Sequence, residues 1–212
     1  MKSLKAYEKI RDMILKGAKL PGTRLILSDL EAELGIGRGP IREAIMRLDR
    51  SGLVKNIPYK GAIVAKPPTR REILHIYDLR VEVEVKLAVE AMPHLTDSDV
   101  SKMEKILDTM ETLPTDHYHF DREFHFALYN VANLPHLFNI ANALILSVES
   151  VLNIYRREEN HCLKFNTEHR EILKALKSND PEGVKQALTL NVQSGLDIIK
   201  DTYSKMLRVP FE

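Results

Sequence analysis

The chain has one cysteine, Cys162, among 212 residues. No internal disulfide can form, and a reducing cytoplasm is the expected location. No apolar run approaches the roughly 20 residues that span a bilayer. Met1-Lys2-Ser3-Leu4-Lys5 lacks the apolar core of a signal peptide. A membrane is therefore not expected as a partner. The net charge is only +1, which alone argues for no class of ligand. Catalytic signatures are missing too. There is no His-Glu-x-x-His, no phosphate-binding glycine loop and no nucleophile elbow. His119-x-Asp121-x-x-x-His125 does not supply the first of these, and no spacing gives Cys162 a histidine partner. Neither an enzyme nor an organic cofactor is expected. Low-complexity tracts and internal repeats are also absent.

What is there is unevenly distributed. Residues 1–66 hold 14 Lys+Arg against 7 Asp+Glu, so +7, and the remainder holds 17 against 23, so −6. A basic module joined to an acidic one is the natural reading. The break falls at Lys66-Pro67-Pro68, a stiff linker because proline fixes φ. With 44% hydrophobic residues, both parts can bury cores of their own.

In the basic part, Leu4, Tyr7, Ile10, Met13 and Ile14 mark an amphipathic helix that Gly17 can close. Leu20-Pro21-Gly22 is a turn, and Arg24-Leu25-Ile26 a short strand. Ser28-Asp29-Leu30-Glu31 has the form of a capping box opening a second helix, with Leu30 and Leu34 inward and Gly35 at its end. After a turn holding Gly35, Gly37 and Gly39 comes a third helix. Pro40 suits its first position, and Gly52 the left-handed position past its end. Ile41, Ile45 and Leu48 give it an apolar back. Arg38, Arg42 and Arg47 cluster at its start and solvent side, where guanidinium forks match phosphates or guanine edges. This is a helix-turn-helix with a recognition helix. Val54–Ile57 and Ala62–Ala65, joined through Pro58-Tyr59-Lys60-Gly61, read as a hairpin. It would be the wing, with Lys60 and Gly61 at its tip.

These residues resemble the winged helix of the GntR family of bacterial transcription regulators. The resemblance rests on Ile14…Gly17, Pro21-Gly22-Thr23-Arg24-Leu25, Leu30-x-x-x-Leu34-Gly35, Arg38-Gly39-Pro40-Ile41-Arg42-Glu43-Ala44, Leu48, Gly52-Leu53-Val54 and Gly61. It implies DNA contacts at Arg38, Arg42 and Gly61. Two contact positions depart from the family habit: Ser28, where arginine is frequent, and Gly37, where serine or threonine is. The expected DNA-binding set is Ser28, Arg38, Gly39, Arg42, Arg47, Lys60 and Gly61.

From Thr69 onward the signals are helical. Thr69-Arg70-Arg71-Glu72 has capping-box form. A helix from about Arg70 to Met92 stops at Pro93, with Ile73, Ile76, Tyr77, Arg80, Val83, Glu84 and Leu87 near one face. Thr96 starts the next, to about Glu111. Others run over about 116–131, from Pro135 to about Arg157, through His169 to about Ser178, and from Asp180-Pro181 onward. Six helices with short breaks make a bundle. The fold expected is mainly α: a winged helix-turn-helix over 1–66, a linker over 67–69 and an all-α domain over 70–212. The second half resembles the ligand-binding (FCD) domain of the FadR-type branch of the same family. The matches are Tyr77-Asp78-Leu79-Arg80, Glu84, Asp121-x-x-Phe124-His125-x-x-Leu128, Asn133, Glu168-His169-Arg170-x-Ile172-x-x-Ala175 and Asp180-Pro181.

Asp121 and His125 share a helix face at four-residue spacing and can hold a divalent metal. His169, on a later helix, could face them across the bundle. By spacing alone, an exposed Asp–His pair and an unrelated histidine is the commoner arrangement. The family resemblance favours the metal site and implies a fourth ligand where this chain has Asn191, whose oxygen suits a hard ion. Zinc, nickel and manganese all remain open. His117, His119 and His161 read as surface residues. Phe120, Phe124, Phe126 and Phe138 read as core. Arg80 could meet an anionic effector or pair with Glu84.

The resemblance implies a homodimer on a palindromic double-stranded operator, a repressor more often than an activator. Its DNA affinity would be set by a small metabolite, commonly a carboxylate. The alternatives are a regulator whose effector is the metal itself and a metal-dependent enzyme in the bundle.

Overall fold

The computed structural model describes residues 2–58, 60–113, 117–155 and 159–207; within the last two stretches, side chains are described for 119–148 and 163–201. The side chains of His117, His161 and Cys162, and Tyr59 of the expected wing turn, lie outside these residues. The chain forms two compact units, residues 1–69 with 142–154, and residues 70–141 with 155–212.

In the first unit, α1 (Lys2–Leu15) buries Ala6, Ile10 and Ile14, one every fourth residue. Leu4, expected on that face, is half exposed. The strands β1 (Arg24–Leu25), β2 (Val54–Ile57) and β3 (Gly61–Val64) pair antiparallel in the order β1-β3-β2. Val54 lies opposite Val64, and Ile57 opposite Gly61. Leu25, Val54, Ala62 and Val64 join the buried residues of α1 in one core.

The second helix, α2 (Leu27–Leu34), does not begin with the expected capping box. Its N-cap is Ile26, whose carbonyl accepts the Leu30 amide at 3.0 Å. Ser28 is thereby inside the first turn, where its hydroxyl cannot reach an orphan amide ahead of it. It donates to Asp29 instead, and Glu31 bonds Arg38. The recognition helix α3 (Arg38–Arg50) begins two residues before Pro40. Proline is still harmless there, since first-turn amides have no helical partner. The far end follows expectation. Gly52 takes φ 77°, its amide donates to Asp49, and Leu53 donates to Leu48, which is a Schellman closure.

The second unit is built from α4 (Arg70–Ala91), a 3-10 turn over Met92–His94, α5 (Asp97–Thr112), α6 (His117–Val131), α8 (Glu159–Lys177), α9 (Pro181–Leu207) and the opening of α7 (Pro135–Tyr155). Thr96 caps α5 in a complete capping box with Asp99. Asp180 opens α9 by accepting the Gly183 amide at 3.0 Å. Helix α4 packs on α6 and α9, α8 packs on α9 and α5, and α5 packs on α6. Arg170 bonds both Glu111 and Asp108, tying α8 to α5. Phe124 is fully buried, while Phe120, Phe126 and Phe138 are only partly so. The later part of α7, expected in the helical domain, groups with the first unit; Leu146 is buried in the winged-helix core. No helix among the described residues is long and apolar enough to cross a membrane.

Candidate functional site

Two places gather the residues singled out from sequence. The first is α3. Its back, Ile41, Ala44, Ile45 and Leu48, is buried. Arg38, Gly39, Arg42 and Arg47 are all exposed, as are Ser28 on α2 and Lys60 at the wing tip. Arg38 donates from Nε to Glu31 at 2.7 Å. The wing tip is held from below, because the Arg24 guanidinium donates to the Lys60 carbonyl at 3.4 Å. Gly61 has a structural reason to be glycine: its φ is +90°, and a Cβ there would overlap the Leu25 carbonyl of β1.

The second place is the interior of the helical unit. One ligand atom each from Asp121, His125 and His169 lies within 4.8 Å of the others. His169 is fully buried and His125 nearly so, while Asp121 is half-buried. The two Nε2 atoms are 3.2 Å apart, and the Asp121 carboxylate is 3.3 Å from that of His169. The surrounding hydrogen bonds assign the protons. His169 Nδ1 is 2.7 Å from the Phe165 carbonyl, so Nδ1 carries a hydrogen, and in the neutral ring the lone pair is on Nε2. Tyr129 has a single O–H, directed at the Glu84 carboxylate at 2.7 Å. Its oxygen therefore accepts from His125 Nδ1 at 3.1 Å, leaving a second lone pair on His125 Nε2. Burial, then the Glu84 carboxylate, pushes the Tyr129 hydroxyl well above its ordinary pKa, so it stays a donor. Burial also pulls His125 down to about 3, against the opposing pull of Asp121, so this imidazole is neutral.

With both rings neutral, two imidazole lone pairs and a carboxylate oxygen converge. A proton would bridge one pair only; a divalent cation meets all three. Asn191 is 4% exposed and within hydrogen-bond reach of His125. Its amide nitrogen donates to Glu168 at 3.3 Å, so its oxygen is the atom left for the imidazole side. Glu168 is itself buried and accepts from Ser194 at 2.6 Å. The chemistry of this donor set fits a divalent ion.

Arg80 lies deeper along the same network. Its Nε donates to Glu84 at 2.7 Å, and its guanidinium sits 4.9 Å from the centre of the Tyr77 ring. Burial opposes its charge, but Glu84, then Tyr77 and Tyr129, outweigh that and hold it protonated. Sequence reading missed Tyr129 and Ser194, and gave Glu168 no role beyond the family match. A signal existed for the first: Tyr129 follows His125 by the same four residues that separate His125 from Asp121. His119 is exposed beside Glu123, as expected.

A winged helix-turn-helix followed by an all-α domain is the architecture of a DNA-binding regulator. Residues 2–64 match the bacterial regulatory proteins of the gntR family, and residues 75–194 match the FCD domain. The chain belongs to the GntR family, in its FCD-domain branch, and is a transcriptional regulator of that type. It is 25% identical over 210 residues to the HTH-type transcriptional regulator McbR of Escherichia coli, covering 96% of this chain and 95% of that one. It is 23% identical over 192 residues to the HTH-type transcriptional repressor RspR of Escherichia coli, covering 88% and 84%. The solved structure of E. coli McbR/YncC superposes with a TM-score of 0.84 at 23% identity, covering 96% of this chain and 99% of that one.

Proposed function

We propose that the protein is a dimeric, cytoplasmic repressor whose operator affinity is set by a small carboxylate, anchored through a divalent ion in the helical unit. Asp121, His125 and His169 would hold the ion, with the Asn191 oxygen beside them. The observation that carries the reading is the convergence of the Asp121, His125 and His169 acceptors within 4.8 Å. The ion supplies a fixed positive charge for the carboxylate. The residues do the rest: Tyr129 and Phe165 fix the imidazole tautomers, and Glu168 fixes the amide of Asn191. Asparagine and aspartate oxygens favour a hard ion, so manganese is the first ion to test.

On the DNA side, α3 would enter the major groove. Arg38, Gly39, Arg42 and Arg47 would lie along it, Ser28 at its flank, and Lys60 and Gly61 on the wing. A dimer places two such helices on half-sites about 34–36 Å apart. Support for repression comes from the relative RspR, which is named as a repressor. Binding of effector and of operator must change each other's affinity by the same factor.

Metal analysis and a gel shift test the proposal together. Purified protein is titrated with manganese, nickel and zinc, then shifted on the DNA upstream of its own gene, with and without small carboxylates. One ion per chain, lost in His169→Ala, is expected, with a salt-sensitive specific shift released by a carboxylate. Arg42→Ala should weaken the shift by about 1–3 kcal/mol. No stoichiometric ion after adding metal back overturns the metal site, and no specific shift overturns the repressor. Release by metal alone would make the ion the effector.

A further inference from the structure

Successive residues of a helix turn by about 100°. On α3 this puts Ile41, Ala44, Ile45 and Leu48 on one side, where they are buried. Directly across lie Gly39, Glu43, Met46 and Arg50, with Arg42 and Arg47 to either side, and all six are exposed. Met46 leaves 46% of its surface in solvent at the centre of that face. Single exposed apolar residues are ordinary on protein surfaces, so exposure alone carries nothing. Position does. Met46 sits one helical turn beyond Arg42 on the outward arc, among guanidinium groups suited to phosphates and guanine edges. Gly39, two turns earlier on the same line, adds no side chain to hold a duplex away. A thioether cannot replace the hydrogen bonds of a base edge. It can make apolar contact, and its three rotatable bonds let it adapt to a shallow target.

The major-groove edge of a base pair offers one apolar group, the 5-methyl of thymine. We propose that Met46 reads a thymine methyl in each half of the operator, so that this side chain, beside the arginines, sets sequence preference. The inference rests on α3 being the helix that enters the groove. Burying one methyl is worth about a fourfold change in affinity.

The test uses the full-length protein and an operator selected from random duplexes. Each thymine is replaced in turn by deoxyuridine, which lacks only the methyl. Wild type should lose about fourfold at one thymine per half-site. In Met46→Ala, whose site is exposed and tolerant, that same replacement should have no effect. Met46→Leu should keep most of the sensitivity. A flat scan in wild type, or an equal loss in wild type and Met46→Ala, overturns the inference while leaving DNA binding intact. Failure to select any operator would instead remove the reading beneath it.

Discussion

Replacing Tyr129 by phenylalanine removes one oxygen atom that touches no expected metal ligand atom directly, yet it should weaken metal binding. That oxygen takes the Nδ1 hydrogen of His125 at 3.1 Å and gives its own hydrogen to Glu84 at 2.7 Å. Without it, the buried Nδ1–H has no acceptor, a loss of about 1–3 kcal/mol. The imidazole escapes this by moving the proton to Nε2, which lies 3.2 Å from Nε2 of His169. A protonated Nε2 cannot ligate. Metal binding must then first restore the unfavourable tautomer, so affinity should fall about 10–100-fold. Competition against a chelator of known affinity gives the number directly. Urea melts with and without metal show whether the chelated protein also weakens. If Tyr129→Phe binds the ion as tightly as wild type, the tautomer assignment is wrong, and with it the claim that two lone pairs face each other.

Acid should destabilise the chelated protein through His125. Its folded pKa is held down to about 3, against about 6.5 in the unfolded chain. The unfolded state alone therefore takes up the proton across that window, and stability falls as pH drops below 6.5. At pH 5 the loss relative to pH 8 should be about 2 kcal/mol, absent in His125→Gln, as urea denaturation at the two pH values will show. At the wing, Gly61→Ala should destabilise the first unit by about 1–3 kcal/mol, because φ is +90° and the new Cβ meets the Leu25 carbonyl. Thermal melts should fall while the helical unit keeps its metal affinity. A fully stable Gly61→Ala that only loses DNA binding would return Gly61 to a purely contact role.

The parts of the fold legible in sequence were those fixed by local chemistry. Pro93 stops α4, Thr96 caps α5, Asp180 opens α9, and Gly52 closes α3, each where its side chain or φ demands. The start of α2 was misread for an instructive reason. Ser28 and Glu31 have the right spacing for a capping box, but the Ile26 carbonyl is already in place for the Leu30 amide. Once that bond forms, the serine is two residues too late. Affiliation was also invisible in the later part of α7. An apolar helix carries no mark of which core it will enter, and Leu146 enters the winged-helix core. In the helical unit, Asp121 and His125 were readable because they share one helix. The bonds from Glu84 to Tyr129, and from Asn191 and Ser194 to Glu168, cross between helices. Only tertiary packing makes them, so no periodicity announced them.

The charges inside the helical unit bear on how an anion could be recognised there. Arg80 could meet a carboxylate, but an arginine on an inner helix face more often bridges to a neighbouring glutamate, and here it does. Its charge is already matched by Glu84 at 2.7 Å, and breaking a buried pair to serve a ligand would cost about 3–5 kcal/mol. The charged groups among the acceptors and bonded to Asn191 are Asp121 and Glu168, both acidic, with His125 neutral. Lys164 stands 3.7 Å from Glu168, but its own side chain is 59% exposed, so solvent screens much of its help. A carboxylate approaching these residues alone would meet net negative charge in a low dielectric, where repulsion is strong. A divalent ion held by Asp121, His125 and His169 would offset those two negative charges and put a positive centre where the acceptors converge. For a carboxylate effector, the order is therefore imposed by electrostatics: cation first, anion second. A metal-independent carboxylate response through Arg80 would require it to leave Glu84, and the Arg80–Glu84 geometry gives no reason for it to do so.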